Sequence, residues 1–387
     1  MDTSSKLSEK LQERGLLKKA TSERLPEPLC IYLGFDPTAT SLHIGSLIPL
    51  QILRIAKIYG HKTIALIGSG TALVGDPTWK NRTRPILSQE EINLNAKKIK
   101  KQIQRIANPD LFVDNSEWLN LGLLQFLRET GAHFSVNQLI NLETFSKRLE
   151  NEEHLSFLEL SYPLLQAYDF LHLHQKYGCN LQVGGSDQWG NITQGVNYVN
   201  RMIEGEVYGL TANLLLTSNG EKMGKSGEGT IFLDPELTKP YDFWQFWRNV
   251  EDDEVQDFLI QLTEMSIVEI KDLLGDLNNA KKVLADKLTS TIHSPEVAAE
   301  VRKMSESIFE RGDYHLLPIT LVDYSLNLDK IVFELGLNNS ISEAKRSIQN
   351  GAVQLDGIRA MDPNVKLHKE EHMLCYGKHK YFRLKAK

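Results

Sequence analysis

Two clusters of residues have the types and spacing to handle phosphate. The first, GFDPTATSLHIGS, runs from Gly34 to Ser46. It lies between an apolar run at 30–34 and a stretch, Ile44 to Tyr59, whose apolar residues Ile44, Leu47, Ile48, Leu50, Ile52, Leu53 and Ile55 recur at helical spacing. A helix N-terminus that follows a buried strand favours anions. His43 and Ser46 fall three apart on that first turn and can donate toward one phosphate. The second cluster is KMGKS, Lys222 to Ser226, bracketed by Gly220, Gly227 and Gly229. Two ammonium groups on a glycine-rich loop can close over a triphosphate and follow charge as it moves to pyrophosphate. Each cluster alone also has an ordinary reading, a capping or surface histidine for one and a solvated basic loop for the other.

A third segment, YPLLQAYDFLHL at 162–173, places Tyr162, Gln166 and Asp169 at spacings of four and three, hence on one face of a helix. Asp169 sits between Tyr168 and Phe170 in an apolar run, an unusual setting for a carboxylate. Two further stretches carry polar groups among glycines. GSGTALVGD at 68–76 holds Thr71 and Asp76 and leads into DPTWKNRTR with Lys80 and Arg84, and LQVGGSDQWGNI at 181–192 holds Gln182, Gly184, Asp187 and Gln188. Gly45, without a Cβ, lets a ligand lie close to the helix start.

These residues need elements to position them. The run at 30–34, the helical stretch to Tyr59 and TIALIG at 63–68 make strand, helix, strand in about 40 residues, so the first half reads as α/β with a parallel sheet. Helical periodicity returns at Gln89–Ile106 and Trp118–Thr130, and LQVGG at 181–185 is a strand followed by a helix from about Gln188 to Met202. LLLT at 214–217 precedes the lysine loop. After Pro240 apolar positions three and four apart, between acidic turns, indicate a helical region. From about Ser340 the texture changes again: Ser340 and Glu343 have capping-box spacing, Gly351 stops a short helix, and AVQLDG runs into an Asp-Gly turn. The chain therefore divides into 1–239, 240–325 and 326–387.

Composition bounds the function. With 387 residues, 41% of them hydrophobic, the chain exceeds what one core usually serves. No apolar run approaches the roughly 20 residues that span a bilayer, and MDTSSKLSEKLQERG lacks the apolar core of a leader, so a cytoplasmic location is expected. Cys30, Cys179 and Cys375 are too scattered for a disulfide framework or a zinc site and read as packing residues. The net charge of −6 is uneven: Leu326 to Lys387 carries 11 basic and 7 acidic residues, and five of those cations fall in the last ten positions. A polyanion would be met at that end.

The order and separation of the clusters narrow the reading. A His-x-Gly-x element at the first strand–helix turn, with a lysine loop about 180 residues later, resembles the paired HIGH and KMSKS signatures of class I aminoacyl-tRNA synthetases. With YPLLQAYDFLHL and GGSDQWGN between them, the chain resembles the bacterial tyrosyl-tRNA synthetases over nearly its whole length. It departs from the usual pattern at Ser46, where the first signature ends in His, and in KMGKS for KMSKS. Both lysines remain.

The resemblance implies a Rossmann-like catalytic domain (1–239), a helical anticodon-side domain (240–325) and a small α+β RNA-binding module (326–387). It implies tyrosine contacts at Tyr32, Gly34, Thr71, Asp76, Tyr162, Gln166, Asp169, Gln182 and Gln188, with Tyr32 and Asp169 at the phenol and Asp76, Tyr162 and Gln166 at the ammonium. ATP contacts fall at Gly34, Asp36, Thr38, His43, Gly45, Ser46, Gly184, Asp187, Gln188, Lys222 and Lys225, with Lys80 and Arg84 toward pyrophosphate. His43, Ser46, Thr38, Lys222 and Lys225 are the catalytic set. Magnesium accompanies ATP, with no metal held by the protein itself. Lys345, Arg346, Lys378, Lys380 and Arg383 face tRNA. The family is homodimeric, and GAHFSVNQLI at 131–140 resembles its interface, with a core reading equally open. Competing readings are a tryptophanyl enzyme, an RNA-binding protein derived from a synthetase, and a general nucleotidyltransferase. Tyr32 with Asp169, and GGSDQWGN, favour tyrosine over tryptophan, and intact His43, Asp76, Asp169, Lys222 and Lys225 favour an active enzyme.

Overall fold

The computed structural model describes residues 6–77, 87–216, 223, 230–311, 314–317, 319–377 and 380–387. The chain forms two compact units, Met1–Pro295 and Glu296–Lys387.

The first unit opens with α1 (Lys6–Glu13), β1 (Leu17–Ala20) and β2 (Cys30–Phe35). A 3-10 turn at Ile44–Ser46 leads into α2 (Leu47–Ile58), followed by β3 (Lys62–Ile67), the single turn α3 (Ser69–Ala72), α4 (Gln89–Ile106) and β4 (Leu111–Asp114). Next come α5 (Leu123–Glu129), α6 (Val136–Ile140), α7 (Glu143–Glu150), α8 (Phe157–Tyr177), β5 (Leu181–Gly185), α9 (Trp189–Met202) and β6 (Tyr208–Ala212). The sheet order is β1-β6-β5-β2-β3-β4, parallel except for β1 on the edge. Strands covered on both faces read as near-continuous apolar runs, which is the texture of CIYLGF and KTIALI.

Chain order reverses between β2 and β5, and such a switch point opens a crevice at the carboxyl ends of the strands. Tyr32, Ile64, Leu66, Phe170, Leu173, Ile192 and Val199 belong to one buried cluster beneath that crevice. The register sets Tyr32 beside Ile64 on one side and Gln182 on the other. α8 has well-defined ends. Ser156 and Glu159 form a reciprocal capping box at its start, and Gly178, at φ 69°, takes the left-handed turn that ends it.

Two sequence expectations change. α2 starts at Leu47, because Ile44–Ser46 is a 3-10 turn capped by His43. The helix expected over 118–130 is confined to Leu123–Glu129, because Trp118 turns inward as the end of a 3-10 turn at Asn115–Glu117. The apolar spacing of that stretch reflects a helix with no buried residue at all, its Leu123 and Leu124 being 72% and 81% exposed.

Whereas β7 (Ile319–Val322), inside the stretch 240–325 read as helical, joins the C-terminal sheet, from Pro240 to Ile292 the elements are helices: α10 (Pro240–Arg248), α11 (Val255–Leu262), α12 (Ile267–Leu273) and α13 (Leu277–Ile292). Trp244, Trp247 and Phe243 are buried there, with Trp247 edge-on to Phe258 at 5.6 Å. The N-terminal arm ties into this region. Buried Arg14 donates to the carbonyl oxygens of Ile260, Thr263 and Met265 at 2.7, 2.6 and 2.7 Å, which occupies acceptors at the end of α11.

The second unit holds most of α14 (Pro295–Arg311), then β7 (Ile319–Val322), α15 (Leu328–Glu334), α16 (Ile341–Gln349), β8 (Val353–Leu355), β9 (Ile358–Arg359), β10 (Glu371–Tyr376) and β11 (Lys380–Ala386). Its sheet runs β7-β11-β10-β8-β9 over a core that includes Leu328, Ile331, Ile348 and Leu374. The Asp-Gly turn is present, with Asp356 and Gly357 at φ 51° and 80°. The capping box is only half formed. Ser340 Oγ accepts from Glu343 N at 3.2 Å, but the Glu343 carboxylate accepts from Asn339 N instead of Ser340 N.

Among the described residues no helix is long and apolar enough to cross a membrane.

Candidate active site

A cavity of about 360 Å³ opens at the switch point. Its walls include Tyr32, Gly34, Asp36, Thr38, His43, Gly45, Ser46, Thr71, Asp76, Tyr162, Gln166, Asp169, Gln182, Gly184, Asp187 and Gln188, so residues that sequence reasoning drew from four separate segments meet at one place. Lys80, Arg84, Lys222, Lys225 and Lys378 lie outside the described residues.

The floor is a chain of hydrogen bonds. The Tyr162 hydroxyl donates to Asp36 Oδ2 at 2.8 Å, and Thr71 Oγ1 donates to Asp36 Oδ1 at 2.8 Å. Asn115 Nδ2 donates to Thr71 Oγ1 at 3.0 Å and to Asp169 Oδ2 at 2.9 Å, while Trp118 Nε1 donates to Asp169 Oδ1 at 2.7 Å. The close approach of Asp36 and Thr71 requires Gly68, since a Cβ there would stand 2.0 Å from Asp36 Oδ1 and 2.4 Å from Thr71 Oγ1. Asn115 and Trp118 were not foreseen from sequence. The available signal was two polar groups just past a short apolar run, LFVD, too short to read as a strand.

Asp169 is 2% exposed, and burial pushes its carboxyl up to about 7 despite the opposing bonds from Asn115 and Trp118. Burial and the nearby Asp36 likewise raise the Tyr162 hydroxyl, so it stays protonated and a donor. In the same cavity two buried polar atoms, the Tyr32 hydroxyl and Gln182 Oε1, have no hydrogen-bond partner. Native interiors rarely leave such atoms unpaired unless a ligand or water meets them. Across the cavity Gln188 Nε2 donates to Asp76 Oδ2 at 2.7 Å, and Asn191 Nδ2 reaches Gln166 Oε1 and Gln188 Oε1 at 3.1 and 3.3 Å.

The opposite wall is formed by His43, Gly45 and Ser46 at the start of α2. His43 Nδ1 accepts from Gly45 N at 3.0 Å, so the neutral ring carries its proton on Nε2. Gly45 is required by the histidine itself, because a Cβ there would lie 2.7 Å from His43 Cε1. Ser46 stands at the start of α2 without a side-chain capping bond. α4 clamps the preceding loop: Asn95 Nδ2 donates to the Pro37 carbonyl at 3.0 Å, and Gln102 bonds both Ser41 and Leu42. Met223, inside the lysine cluster, and the chain that follows the cluster also reach this wall. Met223 is buried and lines the cavity, with its N–H on the Leu215 carbonyl, and Ile44 N donates to the Ile231 carbonyl at 3.1 Å. Among the described residues no group of three or more His, Cys, Asp or Glu is placed to hold a metal ion.

In the second unit the basic side chains differ in engagement. Arg383 is gripped by Glu371 through two bonds of 2.8 and 3.0 Å, and Lys345 Nζ lies 3.7 Å from the buried Asp329. Arg346 is exposed, its Nε 3.5 Å from the Ser342 carbonyl, and Lys380 opens β11.

A parallel sheet with its switch-point cavity, a histidine-capped helix start and a C-terminal α+β unit is the arrangement of a known class of enzyme. The chain belongs to the class I tRNA synthetases of the W and Y family, whose model matches residues 24–310, and an S4 domain matches 326–372. Within that family it belongs with the tyrosine–tRNA ligases. It is 44% identical over 348 residues to the tyrosine–tRNA ligase of Anaplasma phagocytophilum, covering 87% of this chain and 84% of that one. With the corresponding ligase of Ruegeria pomeroyi it shares 41% over 380 residues, covering 92% and 91%. Among solved structures it resembles a C-terminally truncated mitochondrial tyrosyl-tRNA synthetase of Aspergillus nidulans, with a TM-score of 0.71 and 28% identity over 79% of this chain and 94% of that one.

Proposed function

We propose that the chain activates L-tyrosine with ATP to give tyrosyl-adenylate and pyrophosphate, then transfers tyrosine to the 3′ end of its tRNA with release of AMP. The observation that carries this is the buried Asp169 beside the unpartnered Tyr32 hydroxyl at the closed end of the cavity. A phenol hydroxyl can bond both, whereas a phenylalanine ring would leave the Tyr32 hydroxyl unpaired and Asp169 with its Asn115 and Trp118 donors alone. Asp76, Tyr162 and Gln166 receive the ammonium, with Thr71 bracing Asp36 behind them, and Gln182 and Gln188 border the rest of the amino acid.

ATP enters as its magnesium complex, with the nucleotide along Gly34, Asp36, Gly45, Gly184, Asp187 and Gln188. One tyrosine carboxylate oxygen forms a bond to the α-phosphorus as the bond to pyrophosphate breaks. His43 donating from Nε2, Thr38, Ser46, Lys222 and Lys225 stabilise the charge that shifts to the leaving group, and Lys80 and Arg84 hold pyrophosphate. A ribose hydroxyl of tRNA then attacks the adenylate carbonyl, and AMP leaves.

We assign residues 1–239 to catalysis, 240–325 to the anticodon side and 326–387 to RNA binding, with Lys345, Arg346, Lys378, Lys380 and Arg383 toward tRNA. The unburied apolar face of α5, with exposed Val136, Phe157 and Leu158 nearby in sequence, supports a homodimer. The place of action is the cytoplasm. Pyrophosphate exchange with tyrosine, phenylalanine and tryptophan tests the reading: tyrosine alone should support exchange, and no exchange with any of the three overturns it.

A further inference from the structure

We propose that His172 is a positioning residue for the phenol end of the cavity, holding Trp118 flat so that Trp118 in turn holds Asp169. His172 lies three residues beyond Asp169 on α8. Its ring stacks on the Trp118 indole with centroids 4.2 Å apart and planes 12° from parallel. The same indole donates from Nε1 to Asp169 Oδ1 at 2.7 Å. Trp118 itself belongs to neither a strand nor an α-helix; it follows the 3-10 turn Asn115–Glu117, where its N–H donates to the Asn115 carbonyl at 3.2 Å, a bond that leaves the tilt of the indole to its side-chain contacts. The stacked ring fixes that tilt.

His172 Nε2 is buried and has no hydrogen-bond partner, so that nitrogen anchors nothing and the face of the ring is what the site uses. Burial, reinforced by Lys176, holds the imidazole below its ordinary pKa, which keeps it neutral and able to lie in the low-dielectric layer behind the carboxylate. The orientation of Trp118 matters because Asp169 has one side-chain donor on each oxygen, Trp118 on Oδ1 and Asn115 on Oδ2. Tilting the indole frees Oδ1 to turn away from an incoming hydroxyl. The inference rests on the reading that Asp169 receives the tyrosine hydroxyl.

The test is steady-state tyrosine-dependent pyrophosphate exchange on the full-length chain with His172→Ala, His172→Leu and His172→Phe, with Asp169→Asn alongside. Leucine fills the space without a flat ring, so the experiment does not hang on the alanine variant folding. Alanine and leucine should raise the tyrosine KM and lower the preference for tyrosine over phenylalanine by about three- to tenfold, the range of an aromatic stack. The ATP KM and kcat should stay within about twofold of wild type, and phenylalanine should restore both quantities because its ring stacks equally well. Unchanged tyrosine KM and preference in the alanine and leucine variants overturn the role. So does a loss that phenylalanine fails to restore, or one that spreads equally to ATP. If the preference survives Asp169→Asn, the phenol reading falls and this inference with it. If it is lost in Asp169→Asn but kept in both His172→Ala and His172→Leu, only the role of His172 falls.

Discussion

The Tyr162 hydroxyl and Asp36, 126 residues apart in sequence, meet in a 2.8 Å hydrogen bond that joins α8 to the loop after β2. The Asp36 carboxylate thus has Tyr162 on one oxygen and Thr71 on the other, and it orients both toward the cavity. Tyr162→Phe removes one donor to a charged acceptor, worth about 1.5–3 kcal/mol. The tyrosine KM in exchange should rise by roughly 10- to 100-fold, with the ATP KM little changed.

Asp169 should make stability depend on pH in an unusual direction. Its folded carboxyl is raised from 3.8 to about 7, so between those values the folded chain holds a proton that the unfolded chain has released. The associated stability is fully present below about pH 4 and is lost as pH rises through about 7, on the order of 4 kcal/mol in all. Urea midpoints of wild type and Asp169→Asn across pH 4–8 should therefore diverge, with wild type losing ground as pH rises; parallel curves would refute the raised carboxyl.

Gly68 separates the site from the fold. A methyl group placed 2.0 Å from Asp36 Oδ1 forces Asp36 and Thr71 apart. Gly68→Ala should cost about 1–3 kcal/mol of stability, as overpacking does. Its larger effect should be on tyrosine activation, measured by exchange at subsaturating tyrosine, with circular dichroism unchanged.

Lys222→Ala and Lys225→Ala should each lower the rate of adenylate formation by roughly 30- to 1000-fold, the effect of losing about 2–4 kcal/mol of charge stabilisation in the transition state. Ground-state ATP binding, read by equilibrium dialysis, should change far less. A matching loss in binding would make these lysines substrate anchors instead.

Arg346, one of two exposed cations on α16, should act only on the second step. Arg346→Ala should weaken tRNA charging and reduce by about one the slope of log affinity against log salt, while leaving exchange with tyrosine untouched.

Much of the architecture can be read from the sequence because β2, β3 and β5 are buried on both faces and announce themselves as apolar runs. β1, β4 and β6 do not. LKKA carries two exposed lysines on an antiparallel edge, LFVD is four residues long, and YGLTA has a glycine where packing against Ile192 leaves no room for a Cβ. The site was legible where its residues sit on one helix face, as Tyr162, Gln166 and Asp169 do. It was illegible where support comes from across the fold. Asn115, Trp118, Asn95 and Gln102 owe their roles to long-range register, and none has a local sequence signature. The apolar spacing of 118–130 misled because a helix facing outward carries the same periodicity as one facing the core.

The buried Arg14 also bears on how the chain is made. Its acceptors at Ile260, Thr263 and Met265 lie 246, 249 and 251 residues downstream. At ribosomal speeds of about 5–20 residues per second, the arm emerges roughly 12–50 s before its partners exist. Through that interval the guanidinium must stay hydrated and β1 can only wait for β6. Closure of the N-terminal arm is then a late event of synthesis, the step by which the nascent chain registers that its helical region has arrived.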